Sequence, residues 1–223
     1  VRPFSRWYKQ VNIRRRNHVL RLADTVTTIS PWHVEFIRQF NPNVHLIYNG
    51  YDPSQFYAED IPMDTFYISY IGRIYEFQST ALVEQAVREL NLPHVELNIH
   101  TPDCRPIPLN AVGDELRRSS MALVLTNPNA KGMMTTKFFE ALGCEKPILC
   151  TPSDNGLLAE TMRHTNAGLA SSDMDEIKAF ILEKYQEWQQ NGFTRQAVIN
   201  KEQFSRQQQA QQFEQLFMQC SKR

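Results

Sequence analysis

From about residue 66 to residue 190 the sequence alternates short apolar runs with amphipathic segments, and this alternation constrains the fold more than any other feature. The run at 67–71 ends at Gly72 and predicts a strand, and Leu82, Val83, Ala86, Val87 and Leu90 then recur at helical spacing. Val95, Leu97 and Ile99 alternate with Glu96, Asn98 and His100, which predicts a strand with one apolar face. Residues 121–125 and 147–150 are unbroken apolar runs, as expected of strands buried on both faces. Phe138, Phe139 and Leu142 suit a helix, as do Leu157, Leu158, Thr161 and Met162. Gly168–Ala170 leads into a long helix with Ile177, Ile181, Tyr185 and Trp188 on one stripe. About five successive βα units predict a Rossmann-like open parallel sheet with helices on both faces, and ligands bind such sheets beyond the carboxyl ends of the strands.

The first 56 residues stand outside that series. A basic, aromatic helix at about 4–22 precedes a Thr-rich strand at 25–30, and Ser30-Pro31 is a helix-start signal for 32–40. A strand at 44–47 runs into the turn Asn49-Gly50, and Pro53, Glu59-Asp60 and Pro62 mark a linker. Trp7, Tyr8, Trp32 and Phe36 are expected to pack in the partial layer this segment forms or, in isolation, to leave an exposed apolar patch. Past the turn Asn191-Gly192 the chain ends in a Gln-rich helix with Ala210, Phe213, Leu216 and Phe217 as its apolar stripe and the Gln run 207–212 as a solvated face. The division that follows is 1–56, 57–202 and 203–223.

Composition limits what such a chain can engage. Lysine and arginine balance aspartate and glutamate to a net charge of +0, which argues against a nucleic-acid footprint. No stretch approaches the ~18 apolar residues of a membrane span. Cys104, Cys144, Cys150 and Cys220 have neither CxxC nor zinc spacing, so they are read as free thiols in a cytoplasmic protein. The six histidines show no ligand spacing, and no metal is expected; His100 ends a strand and is the one singled out. Asp103, Asp114 and Glu115 read as solvated rather than as a hydrolase's carboxylate pair.

Two stretches carry candidate chemistry. At 135–149, Thr135 or Thr136 is a good N-cap, and Gly132 allows close backbone approach. The helix start there offers unpaired N–H groups and a positive dipole end to a diphosphate, with Lys137 beside it. Glu140, a turn further in, has two acceptor oxygens suited to the hydroxyls of a ribose. The same residues equally suit a plain capped helix with a solvated glutamate. At Tyr70-Ile71-Gly72-Arg73-Ile74, Gly72 permits a tight turn under a ligand and Arg73 can fork onto phosphate oxygens. No GxGxxG follows this first strand, which disfavours a nicotinamide or flavin enzyme.

Taken together, four stretches resemble the group 1, or GT4, branch of the GT-B glycosyltransferases. Residues 23–30 are similar to the family's "AD.vi.vS" strand, and 47–52 to its "ipNGvD" segment. Residues 70–74 are similar to "yvGRl", and 137–149 to "KlfEylacgkPil". The resemblance spans nearly the whole chain. It implies that 1–56 are closing elements of an acceptor-side domain, most of which the chain lacks. It makes 57–202 a nucleotide-sugar-binding domain and 203–223 a helix crossing back. It further implies transfer of a sugar from a nucleotide diphosphate sugar to a glycan or lipid-linked acceptor, with retention and with no cofactor beyond the donor. The setting implied is polysaccharide biosynthesis. Gly72, Arg73, Thr135, Thr136, Lys137 and Glu140 match its donor-site positions. Two departures stand out: the family's lysine falls on Gln78, and the first glutamate of its E-x7-E pair falls on Gly132. Lys131 or Lys137 could supply the missing charge. A non-catalytic nucleotide-binding module and a nucleotide-sugar 2-epimerase-like enzyme are the alternatives. The run Arg14-Arg15-Arg16 on the first helix allows peripheral contact with anionic lipid at the inner face of a membrane, although a solvated face serves it as well.

Overall fold

The computed structural model describes residues 5–129 and 132–221, and the chain divides into two units at Tyr48/Asn49 and at Gln208/Gln209. The smaller unit begins with α1 (Arg6–Leu22), which starts at Ser5, whose hydroxyl accepts from the Tyr8 N–H. Residue 4, where the sequence pattern began this helix, lies outside the described residues. β1 (Val26–Thr28) pairs in parallel with β2 (Val44–Leu46), and α2 (Pro31–Arg38) connects them with proline in its first turn. Strands of three residues bury little, so this core is small: Val34, Ile37 and Val44, with Leu20, Val26, Phe36 and Leu46 packed against it. Buried Asn41 ties the end of α1 down by donating to the carbonyls of Leu20 and Ala23. The aromatic residues of this unit divide between core and surface, and those on the surface leave the exposed apolar area that the sequence also allows. Trp7, Tyr8 and Trp32 are exposed, and no residue of α1 is buried. Phe36 alone of the four packs on the core, with the Arg16 guanidinium 4.6 Å above its ring.

The part of the C-terminal helix in this unit also departs from its sequence pattern. Ala210 and Phe217 are exposed, while Leu216 and Gln209 are buried. Gln209 belongs to the run read as a solvated face, yet its amide donates to the Tyr48 carbonyl, a partner 161 residues away that no local pattern reveals.

The larger unit holds the βα series. It comprises β3 (Phe66–Ile71), α3 (Ala81–Leu90), β4 (Val95–His100), α4 (Val112–Arg118) and β5 (Met121–Val124). These are followed by α5 (Thr136–Gly143), β6 (Ile148–Cys150), α6 (Leu157–His164), β7 (Gly168–Ala170) and α7 (Met174–Asn191), before α8 (Arg206–Cys220) starts. The five strands β3–β7 make one parallel sheet in the order β4-β3-β5-β6-β7, flanked by helices, as the alternation predicts. In chain sequence this order is 2-1-3-4-5, so the connections leave β3 and β5 in opposite directions. A crevice at the carboxyl ends of those two strands is the topological switch point where such sheets bind ligands.

The apolar stripe of α7 decides how this unit packs. Ile177, Ile181, Tyr185 and Trp188 are buried against Phe66, Ile68 and Tyr70 of β3 and Met121 and Leu123 of β5. The rings of Tyr185 and Trp188 meet Phe66 edge-on at 5.7 and 5.9 Å. Their polar ends are satisfied as well: the Tyr185 hydroxyl donates to the Pro93 carbonyl and the Trp188 indole to that of Met63. α5 buries Phe138, Phe139, Ala141 and Leu142, with Phe204 tilted against Phe139 at 5.3 Å. The unit boundary falls ahead of the Asn49-Gly50 turn rather than in the proline-marked linker. Tyr51 is held inside the larger unit, where its N–H donates to Phe204 and its carbonyl accepts from Arg206. All four cysteines are free thiols, and no described helix is long and apolar enough to cross a membrane.

Candidate functional site

The site is built at the carboxyl ends of β3 and β5. As β3 ends, Gly72 turns with φ +134°, a region that side chains rarely occupy, while its N–H stays bonded to the His100 carbonyl of β4. The turn makes room for Lys137: a Cβ at Gly72 would strike the lysine's Cε and lie 2.8 Å from its Nζ. The Lys137 ammonium also sits 5.4 Å above the ring of Tyr70. Tyr70 is fully buried, and burial pushes its phenol up to about 12; its hydroxyl donates to the Arg73 carbonyl at 2.7 Å and so fixes the chain after the glycine.

Lys137 belongs to the first turn of α5. Thr135 is the N-cap residue, in extended conformation, but its hydroxyl makes no capping bond to the helix N–H groups. The first-turn amides are therefore left without a side-chain cap at the carboxyl edge of the sheet. Burial lowers the Lys137 pKa, an effect that Glu140 opposes. Glu140, three residues on and half-buried, is pushed up by burial, against the pull of Lys137 and Arg206. Neither the ammonium of Lys137 nor the carboxylate of Glu140 makes a hydrogen bond or close ion pair among the described residues. Two opposite, half-buried charges, each with unused hydrogen-bonding capacity, are costly in a folded protein unless something else completes them.

The loop after Gly72 is laced to the end of β5. The Gln78 amide donates to the Leu125 carbonyl at 2.6 Å, and its side-chain oxygen accepts from the Tyr75 N–H at 3.1 Å. Asn127 adds a bond to the Phe77 carbonyl. This loop presents Tyr75 and Phe77 as parallel stacked rings, 5.6 Å apart, both more than half exposed. The pair lines a cavity of about 170 Å³ together with Gln78, Leu125, Met133, Met134 and Leu158 and the polar Thr126, Thr135 and Lys137. Sequence reasoning missed both the aromatic pair and the Gln78 brace, since the brace joins residues 47 apart.

The structure thus brings Gly72, Thr135 and Lys137 into one place, with Glu140 a turn further along α5. Arg73 is exposed, and its guanidinium makes no hydrogen bond or ion pair among the described residues. Thr136 is exposed in the first helical turn, and Lys131 lies outside the described residues. His100 is committed elsewhere, Nδ1 to the Arg105 carbonyl at 2.8 Å and Nε2 to Glu115 at 3.2 Å. Glu115 is consequently not the solvated residue its sequence context suggested, because Asn98 also donates to it; Asp114 pairs with Arg117. A larger cavity of about 400 Å³ lies between the start of α6 and β7. The α6 amides of Leu158 and Ala159 there already donate to fully buried Asp154, so that helix start has little left to offer an anion.

A five-stranded parallel sheet of this order, flanked by helices, defines a Rossmann-like domain. Solved structures narrow this to the GT-B glycosyltransferase fold. HepE from Anabaena, in complex with UDP and glucose, matches with a TM-score of 0.70 at 15% identity over 97% of this chain. A sucrose-phosphate synthase from Thermosynechococcus elongatus gives 0.66 at 17% identity over 98%, and a glycosyltransferase from Rickettsia africae 0.57 at 10% over 98%. At these identities the likeness is one of fold. The chain spans 64% of the length of the synthase and 68% of each of the other two. No family model matches the sequence, and no curated protein does.

Proposed function

We propose that this chain carries the donor-binding part of a GT4-like glycosyltransferase, with a nucleotide diphosphate sugar as its donor and no other cofactor. The observation that carries the reading is the pair Lys137 and Glu140, half-buried on one helix at the switch point with neither charge engaged in a hydrogen bond among the described residues. In this reading the α5 amides, Lys137 and Arg73 hold the diphosphate, Gly72 keeps the approach clear, and Glu140 accepts from the ribose hydroxyls. Transfer breaks the bond from the sugar's anomeric carbon to the diphosphate oxygen, which keeps the electron pair. A hydroxyl of a glycan or lipid-linked acceptor forms the new bond and loses its proton, with retention at the anomeric carbon. The chain's contribution is to stabilise negative charge growing on the departing diphosphate. These 223 residues alone are expected to bind donor without transferring it.

A non-catalytic nucleotide-binding module is the second reading. It is favoured by Gln78, whose amide is spent on the Leu125 carbonyl where the family resemblance places a phosphate-binding lysine. Calorimetry with UDP, GDP and ADP and their sugars tests the binding they share. One nucleotide should bind, and Glu140→Ala should weaken it about tenfold, the loss of roughly one charged hydrogen bond. If none binds and the substitution changes nothing, the site is misassigned. Consumption of a nucleotide sugar by the chain together with any acceptor-side region would decide for the enzyme.

A further inference from the structure

The two cations that the reading above sets on the diphosphate, Lys137 and Arg73, both lean on one buried side chain. Tyr70 is the penultimate residue of β3 and has no exposed surface. Its ring lies 5.4 Å from the Lys137 ammonium, and its hydroxyl donates to the Arg73 carbonyl at 2.7 Å. Each contact answers a different problem of order. A lysine ammonium is a strongly hydrated charge on a flexible stem, and without a partner it swings toward water. Lys137 makes no hydrogen bond or close ion pair among the described residues, yet it stays half-buried. The notch left by the absent side chain of Gly72 gives it room, and the negative face of the Tyr70 ring attracts it, as Glu140 does at longer range. Arg73 has the opposite difficulty, since it follows a glycine and the backbone alone sets its place poorly. The bond from Tyr70 closes the chain across that glycine and removes the freedom.

We infer that Tyr70 is a positioning residue of the anion site: its hydroxyl sets Arg73 and its ring sets Lys137, so both charges stand in place before a diphosphate arrives. The inference rests on the donor-binding reading. Tyr70 is too deeply buried to touch a ligand, so it acts only through the two cations. Preorganisation of this kind raises affinity by reducing the freedom lost on binding rather than by adding a contact. It also separates the two halves of the side chain, because phenylalanine would keep the ring for Lys137 and abandon Arg73.

Double-substitution cycles read by calorimetry on the whole chain, with UDP, GDP and ADP as probes, test this. For the diphosphate that binds, Tyr70→Phe should weaken binding about tenfold, the scale of one hydrogen bond. With Arg73→Ala already present the same change should cost less than about twofold, because the group it positions is gone. With Lys137→Met present the full loss should persist. Tyr70→Leu removes the ring as well and should weaken binding a further ~two- to tenfold, a difference from phenylalanine that disappears with Lys137→Met. A side chain that merely fills the core would shift the urea midpoint and give the same loss in every background. The phenylalanine variant keeps the shape of the ring, so the part played by the hydroxyl is read whatever leucine does to folding. Diphosphate bound by Tyr70→Phe as tightly as by the parent chain, or a loss unchanged by Arg73→Ala, overturns the inference while the donor-binding reading stands. Failure of every nucleoside diphosphate to bind removes that reading, and this inference with it.

Discussion

Lys146 offers a measurement of how this fold tolerates a buried charge. Only 2% of the residue is exposed, at the turn from α5 into β6, and its Nζ makes no hydrogen bond among the described residues. Burial is the main reason its pKa falls from 10.5 to about 8, partly offset by Cys144 and Asp60 nearby. In the unfolded chain the amine keeps its proton up to about pH 10.5, and in the folded chain it releases it near 8. Between those values the unfolded state binds more protons, so stability rises with pH across the window, and the gain is absent below about pH 8. A fall from 10.5 to about 8, at ~1.36 kcal/mol per pH unit, corresponds to about 3 kcal/mol of stability lacking at neutral pH. Lys146→Met, which keeps the length and removes the charge, should therefore stabilise the protein at pH 7 by up to about 3 kcal/mol, less any packing loss. Urea denaturation of both proteins at half-unit steps from pH 7 to 10.5, under reducing conditions, isolates the effect, since titrations not coupled to Lys146 cancel in the difference. The gap should close as pH rises. A constant gap, or a less stable methionine variant at pH 7, would refute the reasoning.

Two further substitutions probe the frame of the site. Gly72→Ala forces a side chain into a positive-φ position and onto Lys137; about 1–3 kcal/mol of stability and most of the nucleotide affinity should be lost, read by denaturation and by calorimetry. Arg117 is buried, with ion pairs to Asp114 and Glu59, a bond to the Gln55 carbonyl at 2.9 Å, and its guanidinium 4.1 Å from the Tyr57 ring. Arg117→Ala should cost about 2–3 kcal/mol by urea midpoint, the scale of a charged hydrogen bond left unmade; a loss under ~0.5 kcal/mol would mark the cluster as an ordinary surface pair.

The sheet was legible in the sequence because parallel strands buried on both faces must be continuously apolar, and 121–125 and 147–150 could be little else. Lys137 and Glu140 could be nominated because a helix start after a buried strand falls at the sheet's carboxyl edge whatever its neighbours. Hidden from the sequence were the features created by distant partners. Gln78 reads as a lost lysine until Leu125 stands opposite it, and Gln209 reads as solvated until Tyr48 covers it. Trp7 and Trp32 could be read either as packed or as an exposed patch, since apolar character alone does not say whether anything lies against it.

The fastening of the 73–78 loop has a thermodynamic consequence. A long, mobile cation at position 78 would have to be immobilised each time a ligand arrived, whereas the Gln78 and Asn127 bonds set the loop's shape when the chain folds. The rotamer freedom surrendered at each binding event is correspondingly smaller, and discrimination among ligands falls to a rigid contour rather than to an adaptable one.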